Sequence, residues 1–145
     1  MISILIPFKN TSSFFKECID SILAQNQSDF EIIAVDDHSE DGSVGIIKSY
    51  SDKRIKVIKN EGTGILPALQ TAQKHATGKF ITRMDADDVM PKDKLTFLLD
   101  ALKQKGQGYV ATGMVQYFGK DKISEGYKKY ESWINNVCAK NSFFE

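Results

Sequence analysis

Apolar runs of strand length alternate along the chain with segments of helical periodicity, and turn residues separate them. Residues 2–7 carry Ile2, Ile4, Leu5 and Ile6, which leaves little room for a solvated face and predicts a buried strand. Thr11, Ser12 and Ser13 offer an N-cap to a helix over 11–25 with Phe15, Cys18, Ile19, Ile22 and Leu23 on one face. A second strand over 30–35 ends in Asp36 and Asp37, and a short helix over 43–50 follows the Asp41-Gly42 turn. A third strand spans 54–59. The next helix, 66–76, tolerates Pro67 in its first turn and is closed by Gly78. A fourth strand over 79–84 runs into Asp85, Asp87 and Asp88. Pro91 opens a helix to Lys105 with Leu95, Leu98, Leu99 and Leu102 as its stripe. Residues 109–117 read as a fifth strand and 127–140 as a last helix, with Tyr130, Ile134, Val137 and Cys138 on one side.

This order predicts an α/β fold, a mostly parallel sheet with helices on both faces. In such sheets ligands bind beyond the carboxyl ends of the strands, where the strand order reverses. The loops after Pro7, Val35, Lys59 and Met84 are therefore the places to look for a site. Near residue 118 the composition changes, with Lys120, Lys122, Lys128 and Lys129 around Gly119 and Gly126. The expected division is a core over 1–118 and a different region over 119–145.

Composition narrows the class. The 145 residues suit one domain, and 19 basic against 19 acidic side chains give no general pull toward nucleic acid or an anionic membrane. With 41% hydrophobic and 26% charged residues the chain is not of a disordered type. No apolar run approaches the ~20 residues of a membrane span, so no transmembrane segment is expected. The start lacks a basic region and meets Pro7 too early for a signal peptide. Cys18 and Cys138 make neither a disulfide framework nor a zinc set, which points to a reducing cytoplasm.

The chemistry concentrates in acid. Asp36, Asp37, Glu40 and Asp41 sit in one strand-end loop, and Asp85, Asp87 and Asp88 in another on the same predicted sheet edge. Two carboxylates ~5 Å apart repel by roughly 3 kcal/mol at an effective dielectric near 20. A hard divalent cation relieves such crowding and prefers oxygen ligands. Asp85 and Asp87, two apart in extended chain, point to one side while small Ala86 points away and keeps the backbone accessible. Asp41 and Asp88 read instead as turn and cap residues. His38 fits turn chemistry, His75 a helix-end surface, Cys18 a small core residue, and Trp133 core or partner packing. The Gly62–Gly64 pair is no dinucleotide fingerprint, because Pro67 stands in place of the third glycine.

Four ordered pieces carry a family resemblance: Ile2 to Asn10; Val35 to Ser43; Asn60 to Gly78, with Gly64, Ala68, Ala72 and Ala76; and Arg83 to Asp88 followed by Pro91. Together they resemble the start of an inverting family 2 glycosyltransferase with the Rossmann-like GT-A fold. That resemblance implies transfer of a sugar from a nucleotide-diphosphate donor, of the UDP-sugar type, to a glycan or lipid-linked acceptor, with Mn²⁺ or Mg²⁺. It implies that Pro7, Phe8 and Lys9 line the base pocket, and that Asp37, with Asp36, binds uracil or its ribose. Gly64 belongs to the third piece on the donor side. Asp85 would face the ribose and diphosphate, Ala86 would stand between, and Asp87 would hold the metal. Arg83 would add positive charge near the phosphates or turn outward. The family commonly has an aromatic where this chain has Lys9, and Phe8 points to the opposite strand face. The family's catalytic base lies further along than residue 145. The expectation is thus a truncated chain, with a donor-binding core over 1–118 and the start of the acceptor-side region over 119–145. Its full-length parent would be cytoplasmic, with room for peripheral membrane attachment.

Two rival classes share parts of the pattern. Asp85-Ala86-Asp87-Asp88-Val89 fits a haloacid-dehalogenase-type phosphatase motif, with Asp85 as nucleophile and Asp87 as acid/base, but that motif ends a first strand. A response-regulator receiver would use Asp36 and Asp37 for Mg²⁺ and Asp85 as phosphoacceptor, leaving Asp87 without a role. A donor-binding module without transfer activity is the third alternative.

Overall fold

The computed structural model describes residues 1–105, 108–119 and 122–140. Two compact units divide the chain, Met1–Leu95 and Thr96–Glu145.

The first unit is a four-stranded, all-parallel sheet with its helices. Its elements are β1 (Ile2–Phe8), α1 (Ser12–Leu23), β2 (Phe30–Asp36), α2 (Ser43–Lys48), β3 (Ile55–Lys59), α3 (Ile65–His75) and β4 (Phe80–Arg83). The strands stand in the order β3-β2-β1-β4. All seven residues of β1 are buried, as a central strand covered on both faces requires. On one face Leu5, Ile33 and Val35 pack against Ala68 and Ala72 of α3. The alternate residues Ile4, Ile6, Phe8, Ile32 and Ala34 are buried on the other face, where the Phe8 ring lies 4.6 Å from that of Phe15 in α1. Helices on both faces of a parallel sheet were the sequence expectation, and the fold has them.

Local details differ from it for physical reasons. Pro91 does not open the fourth helix: α4 begins at Lys94 and runs to Lys105. Pro91 instead supplies the carbonyl that accepts from the Lys94 N–H at 3.0 Å. In the α4 stripe Leu95 and Leu99 are buried, whereas Leu98 and Leu102 are half-buried. The hydroxyl of Thr11 does not cap α1 and is buried without a hydrogen-bond partner. The caps come from the 36–43 loop, where Ser43 Oγ accepts from Thr11 N–H at 2.8 Å and Asp41 Oδ2 from Ser12 N–H at 2.9 Å.

Beneath α3 a buried carboxylate, Glu31, ties the amino-terminal end of the sheet. Its Oε1 accepts from Ser3 Oγ (2.7 Å), Thr77 N–H (2.7 Å) and Thr77 Oγ1 (2.8 Å), and its Oε2 from Lys56 Nζ (2.8 Å). Burial alone would raise its pKa, but the bonds from Lys56, Ser3 and Thr77 outweigh this and lower it to about 2. Gly78 packs so closely there that a Cβ would stand 2.7 Å from Ser3 N.

In the second unit, residues 109–117 form no strand. Its backbone is engaged by side chains of α5 (Glu125–Lys140). Asn135 Oδ1 accepts from Val115 N–H, its Nδ2 donates to Val115 C=O, both at 2.8 Å, and Glu131 Oε2 accepts from Tyr117 N–H at 2.6 Å. These bonds satisfy groups that a sheet neighbour would otherwise take. The Tyr130 and Trp133 rings meet at a tilt with centroids 5.5 Å apart and both are exposed, so Trp133 is not a core residue.

Candidate functional site

The strand order places one reversal in the sheet. From β1 the chain moves outward through β2 to β3, then returns to set β4 on the other side of β1. The crevice beyond the carboxyl ends of β1 and β4 is where ligands bind in doubly wound sheets. Three strand-end segments converge on that edge, led by Lys9 after β1, Asp37 after β2 and Asp85 after β4. Short backbone bonds carry the ladder into them: Asp37 N–H to Phe8 C=O (2.8 Å), Asn60 N–H to Asp36 C=O (2.8 Å) and Met84 N–H to Leu5 C=O (3.0 Å).

The β1 and β2 loops are interlocked. Asn10 and His38 both adopt the left-handed backbone, with φ of 52° and 59°, a region where asparagine and histidine are among the tolerated residues. Asn10 N–H donates to Ser39 Oγ (3.1 Å) and its Oδ1 accepts from Glu40 N–H (2.8 Å). Asp36 Oδ1 accepts from Ser39 N–H (2.9 Å), and His38 Nε2 donates to the Gly62 carbonyl (2.9 Å). Asp41 accepts from Ser12 and Ser43 N–H, each at 2.9 Å, the turn-and-cap role expected of it. Bonding to Ser43 foremost, with Ser12, keeps its carboxyl well below the usual range.

Asp37 is the keystone. Its side chain is 9% exposed. Asn60 Nδ2 donates to Oδ1 at 2.7 Å, and Gly64 N–H reaches Oδ1 and Oδ2 at 2.9 and 3.0 Å. Lys9 Nζ stands 3.8 Å from Oδ2. The Asn60 amide first, then Gly64 and Lys9, hold the Asp37 carboxyl below its ordinary pKa against the opposing effect of burial. Gly64 can present its N–H this way because it caps α3 at φ 95° and ψ 171°, a conformation open essentially to glycine alone. A carboxylate offers about four lone-pair positions, so Oδ2 keeps capacity to accept from a ligand.

The acid segment after β4 is not the extended chain expected: Asp88 N–H donates to the Asp85 carbonyl at 3.1 Å and closes a turn over 85–88. Met84 and Ala86 are buried, while Asp85 is half-exposed and Asp87 exposed. Ala86 is buried at 4% exposure, so it does not leave the backbone accessible there as the sequence suggested. Arg83 shares the Asp85 side, its Nε and a terminal guanidinium nitrogen each 2.7 Å from Asp85 Oδ1. No hydrogen bond or ion pair to a described residue engages Asp87. Partial desolvation, then the Asp85 and Asp87 charges, raise the pKa of Asp88. The same field reaches inward: burial first, then Asp88, Asp87 and Asp85, push the Cys18 thiol up to about 12 and keep it inert. Asp88 is not the cap of α4, which starts six residues later. Among the described residues no three His, Cys, Asp or Glu side chains form a metal cage. Two outward carboxylates nonetheless fit Mg²⁺ or Mn²⁺, which characteristically take one or two carboxylates and fill their shells with phosphate oxygens and water.

The model of the family described as "Glycosyl transferase family 2" matches residues 3–143. The chain belongs to glycosyl transferase family 2. Among its relatives, the Escherichia coli UDP-Glc:alpha-D-GlcNAc-diphosphoundecaprenol beta-1,3-glucosyltransferase WfgD is 35% identical over 94% of this chain and 48% of its own length. Glycosyltransferase GlyA of Streptococcus pneumoniae is 28% identical over 99% of this chain and 22% of its own. Less than half the length of either relative is therefore spanned. Among solved structures, S. aureus TarS 1-349 in complex with UDP superposes with a TM-score of 0.67 at 24% identity, over 78% of this chain and 38% of that one, and shows the fold. The mannosyltransferase PcManGT from Pyrobaculum calidifontis, in complex with GDP-Man and Mn²⁺, gives 0.64 at 28% identity, over 70% and 32%. The family 2 assignment sets aside the phosphatase and receiver readings. In this structure the Asp85–Asp87 segment follows the edge strand β4, not a first strand.

Within this family 2 chain, sequence reasoning placed Lys9, Asp36, Asp37, Gly64, Arg83, Asp85 and Asp87 at one sheet edge, and the structure brings their strand ends there. Pro7 and Phe8 precede that edge with buried side chains, and Phe8 is committed to Phe15. Asn60, which holds Asp37, stands in the sequence pattern only as the start of a motif piece. The signal was an asparagine directly following a strand, where an amide can cross to a neighbouring loop.

Proposed function

We propose that the chain forms the donor-nucleotide site of a glycosyltransferase that uses a UDP-sugar, requires Mn²⁺ or Mg²⁺ and inverts the anomeric centre. The acceptor class that fits is a glycan or a lipid-linked saccharide, with a base outside residues 1–145. The observation that carries this reading is the placement of the outward Asp85–Asp87 pair at the strand-order reversal, across from Lys9 and Asp37. Asp37 Oδ2 accepts the imide N–H of uracil, and the bonds from Asn60 to Oδ1 and from Gly64 to both oxygens keep that carboxylate fixed. Asp87, with Asp85, holds the cation that neutralises charge developing on the diphosphate leaving group. Arg83 balances Asp85 and lies on the side where the phosphates would stand. Glu125 pairs with Lys128, and Glu131 binds the Tyr117 N–H, so neither stands out as a base; Glu145 lies outside the described residues. No helix among the described residues is long and apolar enough to cross a membrane.

Calorimetry of UDP binding with and without Mn²⁺ tests this. Asp87→Asn is expected to lose the metal-dependent part by roughly tenfold or more, as removal of a metal ligand or its support does. Asp88→Asn should lose much less. Equal losses in the two variants would contradict the division of roles.

A further inference from the structure

Between β4 and α4 the chain has no regular secondary structure, yet it carries both carboxylates of the proposed site. Its backbone groups still need partners. One stripe of α1 and the residue just past it supply them, since Cys18, Ser21 and Gln25 recur at helical spacing of three and four residues. The Cys18 thiol lies 3.5 Å from the Asp85 carbonyl. Ser21 Oγ accepts from Met90 N–H at 2.9 Å. Gln25 Nε2 donates to the Pro91 carbonyl at 2.7 Å, and its Oε1 accepts from Leu95 N–H at 3.2 Å. Asn26 N–H adds a bond to the Lys92 carbonyl at 3.2 Å.

Gln25 is only 7% exposed, and a buried amide is costly unless its groups are bonded. Packing alone would favour an apolar residue there, as at Phe15, Ile19 and Ile22. The amide nitrogen is matched to Pro91 in the acid-bearing segment and the amide oxygen to Leu95 in the first turn of α4, 66 and 70 residues away in sequence. We infer that Gln25, assisted by Ser21, is a positioning residue that sets the Asp85–Asp87 pair in register for a cation-bound nucleoside diphosphate. This rests on the donor reading above. Gln25 touches neither ligand. It acts by fixing the backbone on which the carboxylates stand, as outer partners of metal ligands do.

The test compares UDP affinity with and without Mn²⁺ in the wild-type protein, Gln25→Leu and Ser21→Ala, alongside amide hydrogen exchange of the metal-free proteins. Gln25→Leu should keep the metal-free UDP affinity and lose about tenfold of the Mn²⁺ enhancement. Exchange at Leu95 should accelerate while β1 and β2 amides stay protected. Ser21→Ala should show a smaller loss with faster exchange at Met90, and it carries the test if Gln25→Leu does not fold. Glu31→Gln, at the opposite end of the sheet, should keep the wild-type enhancement. An unchanged Mn²⁺ enhancement in both Gln25→Leu and Ser21→Ala would overturn the inference, as would an equal fall in metal-free affinity or the same loss in Glu31→Gln. Absence of any Mn²⁺ enhancement in the wild type would instead overturn the donor reading, and the inference with it.

Discussion

Replacing Glu31 by glutamine perturbs stability at a point remote from the site, and the structure sets its size and its pH dependence. The carboxylate accepts four hydrogen bonds that join β1, β2, β3 and the α3–β4 connection. Its pKa falls from 4.5 to about 2 on folding. At 1.36 kcal/mol per pKa unit this corresponds to about 3 kcal/mol favouring the folded state. Lys56 is half-exposed, so solvent screens its share and about 2 kcal/mol is the lower figure. A glutamine at this position could still accept from Ser3 and Thr77 through its side-chain carbonyl, so the loss is mainly that of charge. Because the folded pKa is the lower one, the stabilisation is complete above the unfolded value of 4.5 and fades as pH drops through about 2. Thermal or urea unfolding of both proteins should therefore show Glu31→Gln less stable by about 2–3 kcal/mol near pH 7, roughly 5–10 °C in Tm. The gap should narrow steadily below about pH 4.5. A gap that stays constant down to about pH 2.5 would refute the charge-based account.

Other outcomes follow from the site. Gly64→Ala has open space for its Cβ but a φ of 95°, so it should cost about 1–3 kcal/mol of stability through backbone strain and weaken UDP binding by displacing the N–H that holds Asp37; unchanged melting would refute it. Gly78→Ala places a Cβ against Ser3 backbone and should lower Tm more than Gly113→Ala, whose Cβ would have open space, as differential scanning would show. UDP should outcompete CDP, because cytosine lacks the imide N–H that Asp37 Oδ2 would accept; a preference for CDP or GDP would remove Asp37 from that role.

What could be read in advance followed from local pattern. The unbroken apolar runs of β1 and β2 announce central parallel strands, and acids at strand ends announce the loops of the site. The misreadings arise where distant side chains take over backbone groups. Residues 109–117 look strand-like by composition, but Asn135 and Glu131, 14 to 20 residues further along, bond their backbone instead. Pro91 suggests a helix start, yet Gln25 and Ser21 hold that stretch as a loop. Glu31 lies within an apolar strand, and nothing local shows that Ser3, Lys56 and Thr77 converge on it. Asp37 is legible in the sequence as a candidate site acid. Its dependence on Asn60 and Gly64 is not, because a bond across 23 or 27 residues leaves no periodic trace.

The donor site at the β1–β4 reversal is tested most directly by the melting temperature of the protein with UDP and Mn²⁺ together, against each alone. A ligand at 100 times its Kd adds about 2.7 kcal/mol, which for a chain of this size is a rise of roughly 5–10 °C. The account predicts that full rise with UDP plus Mn²⁺, a smaller one with UDP alone, and loss of the difference in Asp87→Asn. No rise with UDP and Mn²⁺ at any concentration would contradict it.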